Sequence, residues 1–123
     1  MSAAKTEIDT ARAGAQALEK KIEADRAKNL AELRAELEKT AEHAKTLAHS
    51  IKTLAQNQRS DTQQHLQNAA SRLEEVATHA KDVAKASEEE LRASNRAMHA
   101  RARVALQNLS HAVAVSRTQA SKN

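Results

Sequence analysis

Six histidines are the residues of this sequence best suited to hold a metal ion: His43, His49, His65, His79, His99 and His111. A helical metal site needs two histidines three or four residues apart, because that spacing puts both rings on one face of the helix. No two of the six have this spacing. We therefore expect edge or surface histidines with a mild pH response between about pH 5 and 7, and neither a bound metal nor a cofactor.

Adjacent carboxylates occur at Glu74–Glu75 and at Glu88–Glu90. Neighbouring residues of a helix point about 100° apart, so such pairs do not converge in the dry pocket that acid–base catalysis needs. The single glycine excludes a phosphate-cradling glycine loop, and no G-x-S-x-G nucleophile motif occurs. We expect these acids to form solvated faces, and we expect no catalytic residue and no enzyme activity.

The last quarter of the chain carries the only charge pattern that suggests a partner. From position 92 to the end there are six basic residues and no acid, whereas the preceding residues have a net charge of −2. Four basic side chains at steps of 4, 3 and 4 share one helical face and form a possible anion strip: Arg92, Arg96, His99 and Arg103. Residues 92–117 therefore have the potential to bind an anionic surface, either lipid or nucleic acid. The alternative is that these residues keep the surface soluble and pair with acids elsewhere, such as Asp25 or Glu19.

The elements that position these residues are predicted to be helices. The chain has no Pro, Cys, Phe, Tyr or Trp, one Gly, and about 40% apolar residues, and its helix formers greatly outnumber its strand formers. The absence of Cys excludes disulfides and thiolate metal sites. No run approaches 18 apolar residues, and the first residues lack a secretory signal's apolar stretch, so we expect no transmembrane segment and a cytoplasmic location.

The apolar pattern predicts an all-α fold consisting of a long antiparallel helical hairpin, a coiled coil. Large residues recur at steps of three and four on both sides of the polar stretch 55–65, and opposite positions sum to about 120. We predict one helical domain over 1–123: a helix at about 5–57, a bend at 58–62, a helix at 62–117 and a frayed tail at 118–123. The following residues form the predicted interaction seam: Leu30, Leu33, Leu37, Leu47, Ile51, Leu54, Leu66, Leu73, Val76, Val83, Leu91, Met98 and Leu109.

Four local features bear on this pattern. Ser60–Gln63 matches a capping box and favours the bend, but without Gly or Pro there one continuous helix in an antiparallel dimer remains an alternative. Ser87–Glu90 also matches, yet the seam passes through Ser87, so we expect an uninterrupted helix there. The step from Ile22 to Leu30 is eight residues, which predicts locally loosened packing. Gly14 indicates close helix approach or simple drift.

A two-helix hairpin with an alanine-rich seam buries little area, so we expect two hairpins to associate into a four-helix assembly. The expected partners are a second copy of this chain or another helical protein. The expected function is that of a non-enzymatic structural or interaction protein.

The alanine-rich, aromatic-poor amphipathic helices resemble those of phasin-type granule-coat proteins, apolipoprotein-like surface proteins and desiccation-related helical proteins. The resemblance extends over the whole chain and rests on composition and period, so it transfers no residue role. It implies an alternative function, binding to a lipid or polymer granule surface. Nonspecific nucleic-acid binding through the basic C-terminal helix is a further alternative.

Overall fold

The computed structural model describes the backbone of residues 3–79 and 85–121, and the side chains of residues 7–79 and 85–116. In these ranges the regular secondary structure is helical, which confirms the predicted all-α class. Four helices follow one another: α1 (Ala3–Asp25), α2 (Leu30–Ala55), α3 (Ser60–His79) and α4 (Glu88–Ser121). None of the described helices is both long and apolar enough to cross a membrane.

The four helices pack as an antiparallel bundle formed by a single chain. Each helix contacts the next one along the chain, α1 also packs along α4, and the diagonal contact between α2 and α4 is slight. This arrangement differs from two extended arms, because α1 folds back on α2 and α4 folds back on α3. The four-helix packing that the sequence suggested between two chains is therefore present within one.

The core of the bundle is built from leucine, isoleucine and many alanines. The largest buried side chains are Ile8, Leu18, Ile22, Leu33, Leu37, Ile51, Leu66, Leu73, Val76, Leu91, Met98 and Leu109. Among the described side chains, Val104 is the only large hydrophobic one that is exposed. The apolar stripe of each helix is thus covered by the other three helices.

The predicted continuous helix over 5–57 is wrong, because the chain turns at residues 26–29. Asn29 caps α2: its Oδ1 accepts from the Glu32 amide at 2.9 Å, and its Nδ2 donates to Glu32 Oε1 at 2.6 Å. Asn29 is thus an N-cap, but Glu32 accepts from its side chain and not from its backbone amide, as it would in a capping box. The eight-residue step from Ile22 to Leu30 therefore marks a turn and not loosened helix packing.

The predicted continuous helix over 62–117 is also wrong, since residues 85–87 lie outside the α-helices and α4 begins at Glu88. Ser87 Oγ accepts from the Glu90 amide at 3.2 Å, and the Ser87 amide donates to Glu90 Oε1 at 3.1 Å. The amide hydrogen bond from Ser87 also lowers the pKa of the Glu90 carboxyl. The local capping hydrogen bonds thus begin a new helix although the apolar spacing is regular. Val83 of the predicted seam lies outside the described residues.

The chain reverses between α2 and α3 at residues 56–59, so the alternative of one helix continuing through Ser60 is wrong. Ser60 is the first helical residue and not the cap that the sequence suggested. Gln63 Nε2 instead donates to the Ala55 carbonyl at 3.0 Å and so satisfies the end of α2. At the other end of the chain, α4 continues to Ser121, past the predicted end at 117.

Candidate functional site

The densest set of polar contacts lies where the end of α1 and the turn at 26–29 meet the first turns of α4. We call this region, residues 19–29 and 88–99, the polar end. Asn95 is 1% exposed, and its Nδ2 donates to the Ile22 carbonyl at 2.9 Å. Its Oδ1 accepts from Arg26 Nε at 3.3 Å. The last carbonyls of a helix lack partners within it, so Asn95 supplies one to α1 from α4.

Arg92 likewise supplies hydrogen-bond donors to carbonyl oxygens of the turn at residues 26–29. Its guanidinium donates to the carbonyl oxygens of Arg26 at 3.1 Å and Lys28 at 3.5 Å, and it pairs with Glu88 at 3.2 Å. Backbone carbonyls and one carboxylate therefore already occupy much of its donor capacity. Arg92 fixes the α1–α2 turn against α4.

A lysine–carboxylate network joins α1 to α2 at this end. Lys21 Nζ lies 2.5 Å from Glu36 Oε2 and 3.1 Å from Asp25 Oδ2, and Lys28 Nζ lies 3.5 Å from Asp25 Oδ1. Burial opposes the charge of Lys21, but its hydrogen bonds to Glu36 and Asp25 outweigh this and raise its pKa. The hydrogen bond from Lys21 lowers the pKa of the Glu36 carboxyl. The network orients the two helices and supplies counter-charges for Asp25, whose side chain is 2% exposed.

The predicted anion strip is divided by these contacts. Arg92 and His99 face other groups of the bundle, with His99 Nε2 lying 2.9 Å from Glu19 Oε1, whereas Arg96 and Arg103 are exposed. A cavity of about 230 Å³ beside the polar end is lined by Arg26, Leu33, Arg92, Asn95 and Arg96. The free cationic surface of α4 is therefore smaller than the four-residue pattern suggested.

Glu19, Glu23 and His99 converge between α1 and α4. One ligand atom of each lies within 4.8 Å of the other two. Sequence analysis named Glu19 as an acid that would pair with the basic strip, which includes His99, and the His99–Glu19 contact agrees with this. It did not predict the group of three, because it considered only histidine pairs as metal ligands. The sequence did contain a signal for this group. Glu19 and Glu23 are spaced i,i+4, and the rule that opposite positions sum to about 120 places His99 opposite them.

The remaining histidines do not add to this group. His43 and His49 are exposed on α2. His65 and His111 meet edge to face, with ring centroids 5.4 Å apart. Their contact links α3 to α4 at the end opposite the polar end.

An apolar groove of about 370 Å³ lies between the first turns of α1 and the last turns of α2. We call it the α1–α2 groove; it is lined by Glu7, Thr10, Ala11, Leu47, Ser50, Ile51 and Leu54. A third cavity, of about 340 Å³, lies between α2 and α3 and is lined by Lys52, Gln56, Gln67 and Ser71. No histidine lines any of these three cavities.

The described residues of the predicted interaction seam lie in the chain's own interior. Nine of its residues are buried: Leu33, Leu37, Ile51, Leu66, Leu73, Val76, Leu91, Met98 and Leu109. Leu30, Leu47 and Leu54 are partly buried against the same core. In the folded bundle these residues are covered by other helices of the same chain.

No protein-family model, no curated protein and no solved structure matches the chain.

Proposed function

We propose that this chain is a non-enzymatic structural or interaction protein that acts as a self-contained four-helix bundle. The observation that carries the proposal is the closure of the core: the four helices bury each other's apolar stripes, and Val104 is the only exposed large hydrophobic residue among the described side chains. A bundle of this kind presents a charged, helical outer surface to its surroundings. Partner contacts would then use that surface.

The absence of enzyme activity is part of the same proposal. Catalytic sites are usually concave and combine a few convergent polar groups with groups whose pKa suits proton transfer. The three cavities described above contain no histidine. The buried polar groups Asp25 and Asn95 are engaged in contacts between helices and turns.

Self-association is the point on which the proposal departs from the sequence-based expectation. The predicted homo-oligomer depended on a hairpin with too little buried area, and the intramolecular bundle provides that area from one chain. We therefore propose a monomer of 13.4 kDa that binds its partner in the folded state.

Light scattering on the eluted peak of a size-exclusion column tests this proposal. The expected result is the monomer mass at all loading concentrations, and it is also expected for Leu47→Asp at the half-buried edge of the α1–α2 groove. A dimer or tetramer that Leu47→Asp converts to monomer would support assembly through the seam instead, and would contradict the proposal.

A second candidate function is binding to a nucleic acid through the outer face of α4. It is favoured by Arg96 and Arg103, which are exposed and have no ion pair among the described side chains. The chain has no aromatic residue to stack on bases, so such binding would depend on phosphate contacts and fall steeply with salt.

Titration of duplex DNA at several salt concentrations tests this candidate. Arg96→Ala/Arg103→Ala should weaken binding and reduce the salt slope by about two, which is about one for each phosphate contact. The matched control is Lys45→Ala/Arg59→Ala, which removes the same charge from exposed positions outside α4. No binding at low salt, or an equal loss in both variants, would contradict a defined α4 surface.

A further inference from the structure

We propose that Glu19, Glu23 and His99 bind one divalent transition-metal ion, best fitted by Zn²⁺, between α1 and α4. The two carboxylates lie one turn apart on α1, and the imidazole reaches them from α4. Such an ion would connect the two helices at the polar end.

The distances between the ligand atoms suit a small, nearly tetrahedral coordination sphere. His99 Nε2 lies 2.9 Å from Glu19 Oε1 and 3.8 Å from Glu23 Oε2. Ligand atoms about 2.1 Å from a tetrahedral metal are roughly 3.4 Å apart, and the two observed distances lie on either side of that value. The third separation, between the two carboxylates, is within 4.8 Å, and rotation of the two glutamate side chains would bring the three ligand atoms to the tetrahedral spacing.

The charges around the group favour a cation. In the described part of the chain, neither Glu19 nor Glu23 has a lysine or arginine within ion-pair distance, and each is paired only with His99. Nearby acids differ in this respect, because Lys21 pairs with Glu36 and Arg92 pairs with Glu88. Among the described side chains, the only basic group within ion-pair distance of the two carboxylates is thus the imidazole that would itself be a ligand, and a divalent ion would balance their charge.

Burial and donor chemistry narrow the choice of ion. The side chains of His99 and Glu19 are 12% and 15% exposed, whereas that of Glu23 is 60% exposed. The bundle thus holds the side chains of His99 and Glu19 in place. The more exposed carboxylate of Glu23 leaves a path for the ion and room for water as a fourth ligand. An imidazole nitrogen with two carboxylates suits Zn²⁺ or Co²⁺ better than Mg²⁺ or Ca²⁺, which prefer oxygen ligands throughout.

Calorimetric titration of the full chain with ZnCl₂, and absorption spectroscopy with Co²⁺, test the site. We expect one ion per chain and a Co²⁺ visible spectrum typical of low coordination number. His99→Ala and Glu19→Gln should each lower the affinity at least about tenfold. Glu19→Gln preserves the size of the side chain and its ability to accept a hydrogen bond from His99. Circular dichroism of each variant checks that the helices are retained.

His43→Ala is the matched control, since His43 is exposed and lies outside the group; its affinity and Co²⁺ spectrum should equal those of the unmodified chain. Zn²⁺ should also raise the melting temperature of the unmodified chain and of His43→Ala, but not of His99→Ala, because the ion binds the folded state. Absence of a saturable one-to-one phase would overturn the proposal. So would equal losses in His43→Ala and His99→Ala, which would indicate scattered binding to surface histidines.

Discussion

The two halves of α1 are packed by different means. The C-terminal half, residues 19–25, is connected to α2 by the Lys21–Glu36 pair and to α4 by the Asn95 bond to the Ile22 carbonyl. The N-terminal half, residues 7–18, is buried mainly through Ile8, Ala11, Ala15 and Leu18. It also forms one wall of the α1–α2 groove.

This difference separates two tasks in the bundle. Hydrogen bonds to named atoms specify one register between helices, because a slip by one residue leaves buried polar groups without partners. Apolar contacts provide most of the free energy but tolerate small shifts. We therefore expect the polar end to determine the register in which α1 packs, and the N-terminal half of α1 to tolerate small shifts.

The largest expected difference concerns two isoleucines of α1 that are both 0% exposed, Ile22 and Ile8. Ile22→Ala should lower the free energy of unfolding by about 4 kcal/mol, because the polar contacts prevent the helices from closing the cavity. Ile8→Ala should cost about 2 kcal/mol, since the end of the helix can relax. Urea denaturation measures both. Equal losses would mean that the two halves are equally rigid.

The next effect concerns the buried amide of Asn95. Asn95→Ala should lower the free energy of unfolding by about 2 kcal/mol, because it leaves the Ile22 carbonyl buried without its donor. The control is Asn68→Ala on α3, whose exposed side chain bonds only Gln64 one turn away, and which should change stability by less than about 0.5 kcal/mol. A small loss for Asn95→Ala would show that the polar bonds do not specify the docking of α1.

A gain in stability is expected at Gly14 in the N-terminal half. A Cβ built there lies 3.5 Å from Leu47 Cδ1, which is an ordinary van der Waals distance. Gly14→Ala should therefore add about 0.5–1 kcal/mol to the free energy of unfolding, through the higher helix propensity of Ala. Thermal denaturation checks this. A loss would show that α1 and α2 approach too closely at this position for any side chain.

The smallest effect is a pH dependence at the polar end. The pKa of Glu36 is lowered by Lys21 in the folded chain, so its stabilising contribution is present near neutral pH and is lost as the pH falls through that lowered pKa. Glu36→Gln should therefore be less stable than the unmodified chain at about pH 6, with the difference shrinking towards about pH 3. Glu38→Gln, at an exposed site of the same helix, should show no such trend; a constant difference for Glu36→Gln would contradict the linkage.

The helical class could be predicted from this sequence. The absence of Pro and aromatic residues, together with the apolar spacing of three and four, is typical of helices and disfavours strands. The pairing of α1 with α4 was also present in the sequence pattern, because the rule that opposite positions sum to about 120 places Ile22 near the first turns of α4. In the structure, Asn95 of α4 donates a hydrogen bond to the Ile22 carbonyl. Periodicity specifies which faces are apolar, and those faces pack in the structure as the pattern requires.

The turns could not be predicted from periodicity. When the helices on both sides of a turn bury their apolar faces in the same core, the apolar spacing continues through the turn without a visible break. Asn29–Glu32 and Ser87–Glu90 had the local signal, a cap followed three residues later by Glu. The first has Asn where the usual capping box has Ser or Thr, and at the second the apolar seam continues through Ser87. The Glu19–Glu23–His99 group depends on two helices meeting in one register, which no spacing within a single helix reports.

The claim that one chain closes its own four-helix bundle is tested most directly by small-angle X-ray scattering on the size-exclusion peak. The longest helix has 34 residues, or about 51 Å at 1.5 Å per residue. We therefore predict a particle of monomer mass with a longest dimension of roughly 55 Å. A longest dimension of roughly 85 Å, the length of uninterrupted arms of about 55 residues, together with twice the monomer mass, would contradict it and favour two extended hairpins packed against each other.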